Sequence, residues 1–186
     1  MLQQESMLVK AFETRLKTIE ADPNLIVLTT MDQPQLNDKD KVSQYIVYTN
    51  FKPGLKKQQT AAIFVYTPLE NIDHYQNNKV DYQSELLFEF DPWDKKIHIS
   101  VLETLGAASK LAFYDYQNHG LAQMALQALI KIAKKHEIET IDGMLSSFDG
   151  DDWDRVNHLF GKFDFATIAA DKTRGVAIYR LQLQGS

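Results

Sequence analysis

The run Gln117-Asn118-His119-Gly120-Leu121-Ala122-Gln123 is where residue types and spacing in this chain could do chemistry. It lies where a strand-rich region gives way to the strongest helical pattern of the sequence. A helix start presents about four backbone N–H groups with no partner inside the helix, and it carries a partial positive charge. Those amides can hold a pyrophosphate without a charged side chain. Gly120 would let the chain turn tightly and let oxygens approach the backbone. Ala122, two positions on, would keep the first turn open. The chemistry on offer is anion binding; the plain alternative is a glycine that merely begins a helix, since a short pattern recurs by accident.

The elements that must position this run can be read from periodicity. Leu8, Ala11, Phe12, Leu16 and Ile19 have helical spacing, and Asp22-Pro23 ends them. Residues 25–30, 42–50 and 60–67 are rich in β-branched and aromatic residues, with Lys52-Pro53-Gly54 turning between the last two. The polar stretch 71–81 reads as a loop. Leu86, Phe88 and Phe90 alternate with Glu85, Leu87 and Glu89, and Ile97, Ile99 and Val101 alternate with His98 and Ser100. Asp91-Pro92-Trp93-Asp94 between them is a turn sequence, so a hairpin with one more apolar face is predicted.

Leu121, Met124, Ala125, Ala128, Leu129, Ile132 and Ala133 then repeat at i, i+3, i+4, i+7, widened by Leu126 and Ile130. Lys134, Lys135 and His136 close this helix where cations suit its dipole. A strand over 139–146 follows, then a helix opening among Asp149, Asp151 and Asp152, with Trp153, Val156, Phe160 and Phe163 on one side. Residues 165–170 and 175–183 read as a closing hairpin. Neither βα alternation nor an all-β pattern fits this order. A mixed sheet with helices on its faces does.

The 186 residues suit one domain with its own core, without repeats or a dividing linker. A hydrophobic fraction of 44% and a charged fraction of 24% are those of a soluble globular protein. No apolar run suits a membrane span, and the first residues lack a secretory signal's pattern, so a cytoplasmic protein is expected. The absence of cysteine excludes disulfides, thiolate metal sites and thiol nucleophiles. A net charge of −5 argues against a nucleic-acid partner. The lysine pairs at 56–57, 95–96 and 134–135 read as solvated surface.

The residues around Gly120 also resemble a known family. Gln117-x-x-Gly120-x-Ala122 is similar to the Q/R-x-x-G-x-G/A signature of the GNAT superfamily of N-acetyltransferases, whose loop cradles the pyrophosphate of acetyl-CoA. Ile141-x-Gly143-x-Leu145-Ser146 looks like the family's strand after that helix. Arg155-x-x-His158-Leu159-Phe160-x-Lys162-Phe163-Asp164-Phe165 looks like its next helix and that helix's ending. The likeness covers the second half of the chain, 81–186, beside an atypical portion over 1–80.

The resemblance implies an acyl-CoA N-acyltransferase-like fold: a central mixed, mostly antiparallel twisted sheet flanked by helices, in a single domain over 1–186. It implies acetyl-CoA as cosubstrate, held by Gln117, Asn118, His119, Gly120, Leu121, Ala122 and Gln123, and acyl transfer to a primary amine on a small molecule or a protein. The strand leading into the loop is either 97–103 with an insertion after it, or 110–114. Two residues depart from the pattern. Phe160 stands where the family often has a tyrosine serving as general acid, and a phenyl ring has no proton to give. Asp164 stands where the family usually has glycine.

Such a transfer needs a neutral amine, whereas a free alkylamine with a pKa of about 10.4 is protonated at neutral pH. A base must take that proton. Glu103, at the end of a strand, is the candidate, against the alternative of a solvated strand-end carboxylate. His158 could also serve, or be packing or surface. Tyr114 and Tyr116 are the hydroxyls nearest the loop in sequence, and either could replace the missing acid. The acidic run 149–154 lacks the spacing of a calcium loop and reads as helix capping. His74, His98, His119, His136 and His158 show no ligand spacing, so no metal is expected. Two other readings stay open: a catalytically silent GNAT-like domain binding CoA or a partner, and an interaction module pairing through aromatic edge strands. Edge strands also leave a homodimer open.

Overall fold

The computed structural model of the chain describes residues 2–32, 44–68, 81–104, 120–146 and 150–184. In chain order the elements are α1 (Leu2–Ala21), β1 (Ile26–Asp32), β2 (Gln44–Thr49), β3 (Gln59–Tyr66), β4 (Ser84–Asp91) and β5 (Lys96–Thr104). They continue with α2 (Leu121–Lys135), β6 (Thr140–Ser146), α3 (Gly150–Lys162), β7 (Ala166–Asp171) and β8 (Val176–Gln182). This is the mixed, mostly antiparallel sheet with helices that the sequence predicts. The 71–81 stretch lies, save for Asp81, outside the described residues, as do 110–114 and the loop residues 117–119.

The chain groups into two compact units. The first comprises Met1–Phe51, Ala62–Leu86 and Glu103–Ala128, and its strands are ordered β1-β2-β3-β4. Val47, Tyr48 and Thr49 of β2 pair antiparallel with Val65, Phe64 and Ile63 of β3. Here α1 presents Phe12 and Ile19 to Ile46 and Tyr48, with Leu16, Leu25, Val27, Phe64 and Tyr66 packed around them. Arg15 lies on the Tyr48 ring, 5.4 Å from its centroid, and donates from Nη2 to the Tyr48 hydroxyl at 2.8 Å. Burial raises the Tyr48 pKa, and the guanidinium opposes that shift only in part.

The second unit comprises Lys52–Ala61, Leu87–Leu102 and Leu129–Ser186, with strands ordered β4-β5-β6-β8-β7. Within it β5 and β6 are parallel, and the neighbouring β6–β8 and β8–β7 pairs are antiparallel. The turn between β4 and β5 forms because Asp91 Oδ1 accepts from the amides of Trp93 and Asp94, at 2.9 and 3.1 Å. One hairpin face is apolar as expected: Phe88, Phe90, Ile97 and Ile99 are buried. At the molecule's other strand pair, β7 is exposed along its whole length, the mark of an edge strand.

The end of α3 shows why its sequence departs from glycine at little loss. Phe165 N–H bonds to the Phe160 carbonyl at 3.1 Å and Asp164 N–H to that of Gly161 at 3.2 Å, which is a Schellman ending. Asp164 itself is left-handed, with φ 64. Aspartate tolerates that region better than most side chains, and glycine better still. Asp164→Gly is therefore expected to raise stability by about 0.5 to 1 kcal/mol. A urea unfolding midpoint that stays put or falls would contradict this account.

Candidate functional site

The start of α2 is built by one backbone choice. Gly120 has φ 79, in the left-handed region, and its carbonyl accepts from Met124 N–H at 3.0 Å as the first acceptor of the helix. Gly120 is thus the N-cap residue. The amides of Leu121, Ala122 and Gln123 precede any carbonyl four residues back within α2, so the helix cannot satisfy them itself. Leu121 is fully buried, and only its main chain can serve a ligand; Ala122 and Gln123 are half-buried. A Cβ built on Gly120 meets no described atom within 4 Å, so the glycine is required by its angle rather than by crowding. Gln117, Asn118 and His119, the other residues expected to hold the cofactor, lie outside the described residues.

The candidate bases and replacement acids fare differently. Glu103 is exposed near the end of β5, and its main-chain oxygen accepts from Ser84 Oγ at 3.0 Å. No described partner orients its carboxylate. His158 is exposed on α3. Tyr114 and Tyr116 lie outside the described residues. Of the acidic run, only Asp154 has a described side chain, and it is exposed. Among the described residues no group of three or more His, Cys, Asp or Glu could hold a metal ion.

Phe160 occupies the place where the family resemblance puts an acid. Its side chain is 0% exposed, stacked on Tyr179 at 4.5 Å between centroids and edge-on to Phe165 at 4.9 Å. The Tyr179 hydroxyl is turned to Asn157 Oδ1, and burial raises its pKa. Phe160 is a core residue. A hydroxyl at that ring would enter packed surroundings, which explains in physical terms why a phenyl group stands there.

Where β5 runs beside β6, the registered partners extend from Lys96 with Thr140 to Ile99 with Gly143. Both strands continue past that point, β5 to Thr104 and β6 to Ser146. The described register of the parallel pair thus ends before either strand does. At the last registered pair the strands are very close. A Cβ on Gly143 would lie 3.1 Å from Ile99 Cβ and 3.3 Å from its carbonyl oxygen, so only glycine fits without a shift.

Just before that point the sheet carries a charged constellation that sequence reasoning missed. Asp142 of β6 is registered between His98 of β5 and Arg180 of β8. His98 Nδ1 lies 2.7 Å from Asp142 Oδ1, Lys96 Nζ 2.7 Å from Oδ2, and an Arg180 Nη 3.8 Å from Oδ2. Burial pushes the Asp142 carboxyl up, but the hydrogen bonds and charges of Lys96 and His98 together outweigh it and hold the carboxyl below the usual aspartate range. The only sequence signal for this group was alternation, which sets His98 and Asp142 opposite their buried neighbours.

That depressed pKa has a stability consequence whose sign is definite. The stabilisation is fully present above the unfolded aspartate value of about 3.9 and is lost as pH falls through the lower native value. Asp142→Asn is expected to flatten the acid side of the stability–pH curve below about pH 4. Urea midpoints at a series of acid pH values check this, and an acid limb as steep as wild type would refute it.

No protein-family model and no curated protein matches the chain. Solved structures do. A GNAT-family protein from Desulfovibrio desulfuricans is 12% identical with TM-score 0.45, over 66% of this chain and 68% of its own. An acetyltransferase from Bacillus cereus is 13% identical with TM-score 0.46, over 69% and 76%. Nourseothricin acetyltransferase is 9% identical with TM-score 0.43, over 91% and 93%. Each of these three is named as an acetyltransferase. Identities this low assign no residue a role. No helix among the described residues is long and apolar enough to cross a membrane.

Proposed function

We propose that this chain is a cytoplasmic N-acyltransferase that moves an acetyl group from acetyl-CoA to a primary amine of a small molecule or a protein. The observation that carries the reading is the left-handed Gly120 at the cap of α2. It caps a helix whose first three amides have no acceptor within the helix, the arrangement a pyrophosphate needs. The residues around it match the phosphate-binding signature that the sequence resembles.

No metal or covalent intermediate is needed for such a transfer. The amine attacks the thioester carbon, and the thiolate leaves with the electrons of the C–S bond. A second reading, a CoA-binding domain without turnover, is favoured by one observation: Phe160 is buried where the family resemblance expects a proton donor.

Calorimetric titration of the full chain with acetyl-CoA and with CoA tests the common part of both readings. Heat of binding with either ligand is expected, and its absence for both removes the CoA site. Release of free thiol from acetyl-CoA in the presence of spermidine, 2-phenylethylamine or a lysine peptide then selects the enzyme. Binding with no release across that panel selects the silent domain.

A further inference from the structure

We infer that one end of the second unit docks on an anionic lipid surface, with Trp93 and Leu55 entering the headgroup layer beside a set of lysines; the inference is independent of the acyl-transfer reading. Along the sequence these lysines fall in separate places. Lys52, Lys56 and Lys57 follow β2, Lys95 follows β4, and Lys134 and Lys135 end α2. The fold gathers them. Gln58 Nε2 donates to Asp91 Oδ2, which ties the 52–58 turn to the β4–β5 turn. The Lys95 carbonyl accepts from the Glu139 amide at 2.8 Å, and the Phe90 and His136 rings meet edge to face at 5.9 Å. Those contacts bring the end of α2 to the same place.

Large apolar side chains stand among the cations. Trp93 in the β4–β5 turn is 77% exposed, and Leu55 in the neighbouring turn is 38% exposed. The turn that carries the indole is fixed, because the Trp93 amide is held by Asp91 Oδ1 at 2.9 Å. An indole suits a membrane interface, where its ring meets apolar chains and its N–H stays wet. Lysine stems can lie along that layer while their ammonium heads reach lipid phosphates. Such a contact needs no spanning segment.

The charge balance at this end is positive, although the chain as a whole carries −5. Its acids are Asp91, Asp94, Glu137 and Glu139. Glu139 is paired with Lys95 at 3.0 Å, and Asp91 is turned into its own loop by the amides of Trp93 and Asp94. Asp94 and Glu137 are left against Lys52, Lys56, Lys57, Lys134 and Lys135, all of them exposed. Charges farther off than the Debye length of about 8 Å are screened at physiological salt, so the local excess governs the contact. All of these cations are lysines. Readers of nucleic acid favour arginine, whose planar fork matches phosphate and base edges, whereas a lipid surface asks only for positive charge beside it.

The test uses full chains and vesicles of equal parts phosphatidylserine and phosphatidylcholine, with pure phosphatidylcholine as the neutral comparison, in about 0.1 M salt. Wild type is expected to sediment with the anionic vesicles and to stay in solution with the neutral ones. Lys56→Glu/Lys57→Glu should lower the partition coefficient about 25-fold or more, at about fivefold per lysine lost. Trp93→Ala should lower it about tenfold. Lys10→Glu/Lys17→Glu makes the same charge change at exposed positions of α1 and should leave it at the wild-type value. Wild-type tryptophan emission is expected to shift to the blue on the anionic vesicles. In Trp93→Ala the remaining emission, from Trp153, is expected not to move.

Wild type left in solution by the anionic vesicles overturns the proposal. If it then retards single-stranded polyuridylate on a gel, the patch belongs to RNA instead. Equal losses in the 56/57 and 10/17 variants also overturn it, because the contact would then follow total charge. So does wild-type emission that stays unmoved while the protein sediments, a result read without any substitution.

Discussion

Gly120→Glu is expected to weaken acetyl-CoA binding at least about 100-fold, which corresponds to about 3 kcal/mol. Two effects act together. Any side chain at φ 79 is strained, at about 1–2 kcal/mol for a left-handed L-residue. The added carboxylate also places negative charge at the helix start that is to receive phosphates, where like charge repels. Gly120→Ala separates the two, since it keeps the strain and omits the charge. The alanine variant should lose affinity about tenfold or less. No described atom lies within 4 Å of a Cβ there, so neither substitution meets a described neighbour. Calorimetry reads the affinities and far-ultraviolet circular dichroism confirms that the helix persists. Wild-type affinity in the glutamate variant, with its helix intact, would mean that the start of α2 holds no phosphate.

Phe160→Ala should cost about 3–5 kcal/mol of stability, the largest loss expected from a single core truncation here. The ring is fully buried and contacts Tyr179 face to face and Phe165 edge to face. Removing it leaves a cavity, and it also removes the apolar contact that accompanies the Schellman ending of α3. Urea unfolding measures the loss; a midpoint near wild type would show that the surroundings collapse into the space. Phe160→Tyr carries the functional half of the same argument. A hydroxyl added inside packed surroundings is expected to destabilise by about 1–3 kcal/mol and to leave kcat unchanged. A gain in kcat would place this ring beside the reaction instead of in the core.

Much of this molecule was legible because local rules and tertiary demands agree. The apolar stripe of α2 was readable since burial of one helix face repeats at a fixed spacing. The β4–β5 turn was readable because Asp91 and Pro92 act on their own neighbours. Gly120 was readable as a tight turn at a helix start, and the structure gives it the left-handed angle that only glycine adopts without strain. Asp164 was noticed as standing in place of glycine, and it adopts that same region. Glu103 and His158, chosen as bases for their positions in sequence, are exposed, and no described partner orients either.

The sequence by itself thus determined the elements, their order and the glycine turn that opens one helix, since each depends on residues within a few positions of one another. Tertiary structure alone decided the rest. His98 and Asp142 lie 44 residues apart and meet only because β5 and β6 pair in parallel at one register. A slip of one residue would send either side chain to the opposite face. Burial of Phe160 against Tyr179, and the closeness of Gly143 to Ile99, likewise arise from strand and helix placement. No periodicity along the chain encodes such distances, because they are set by which backbones lie side by side.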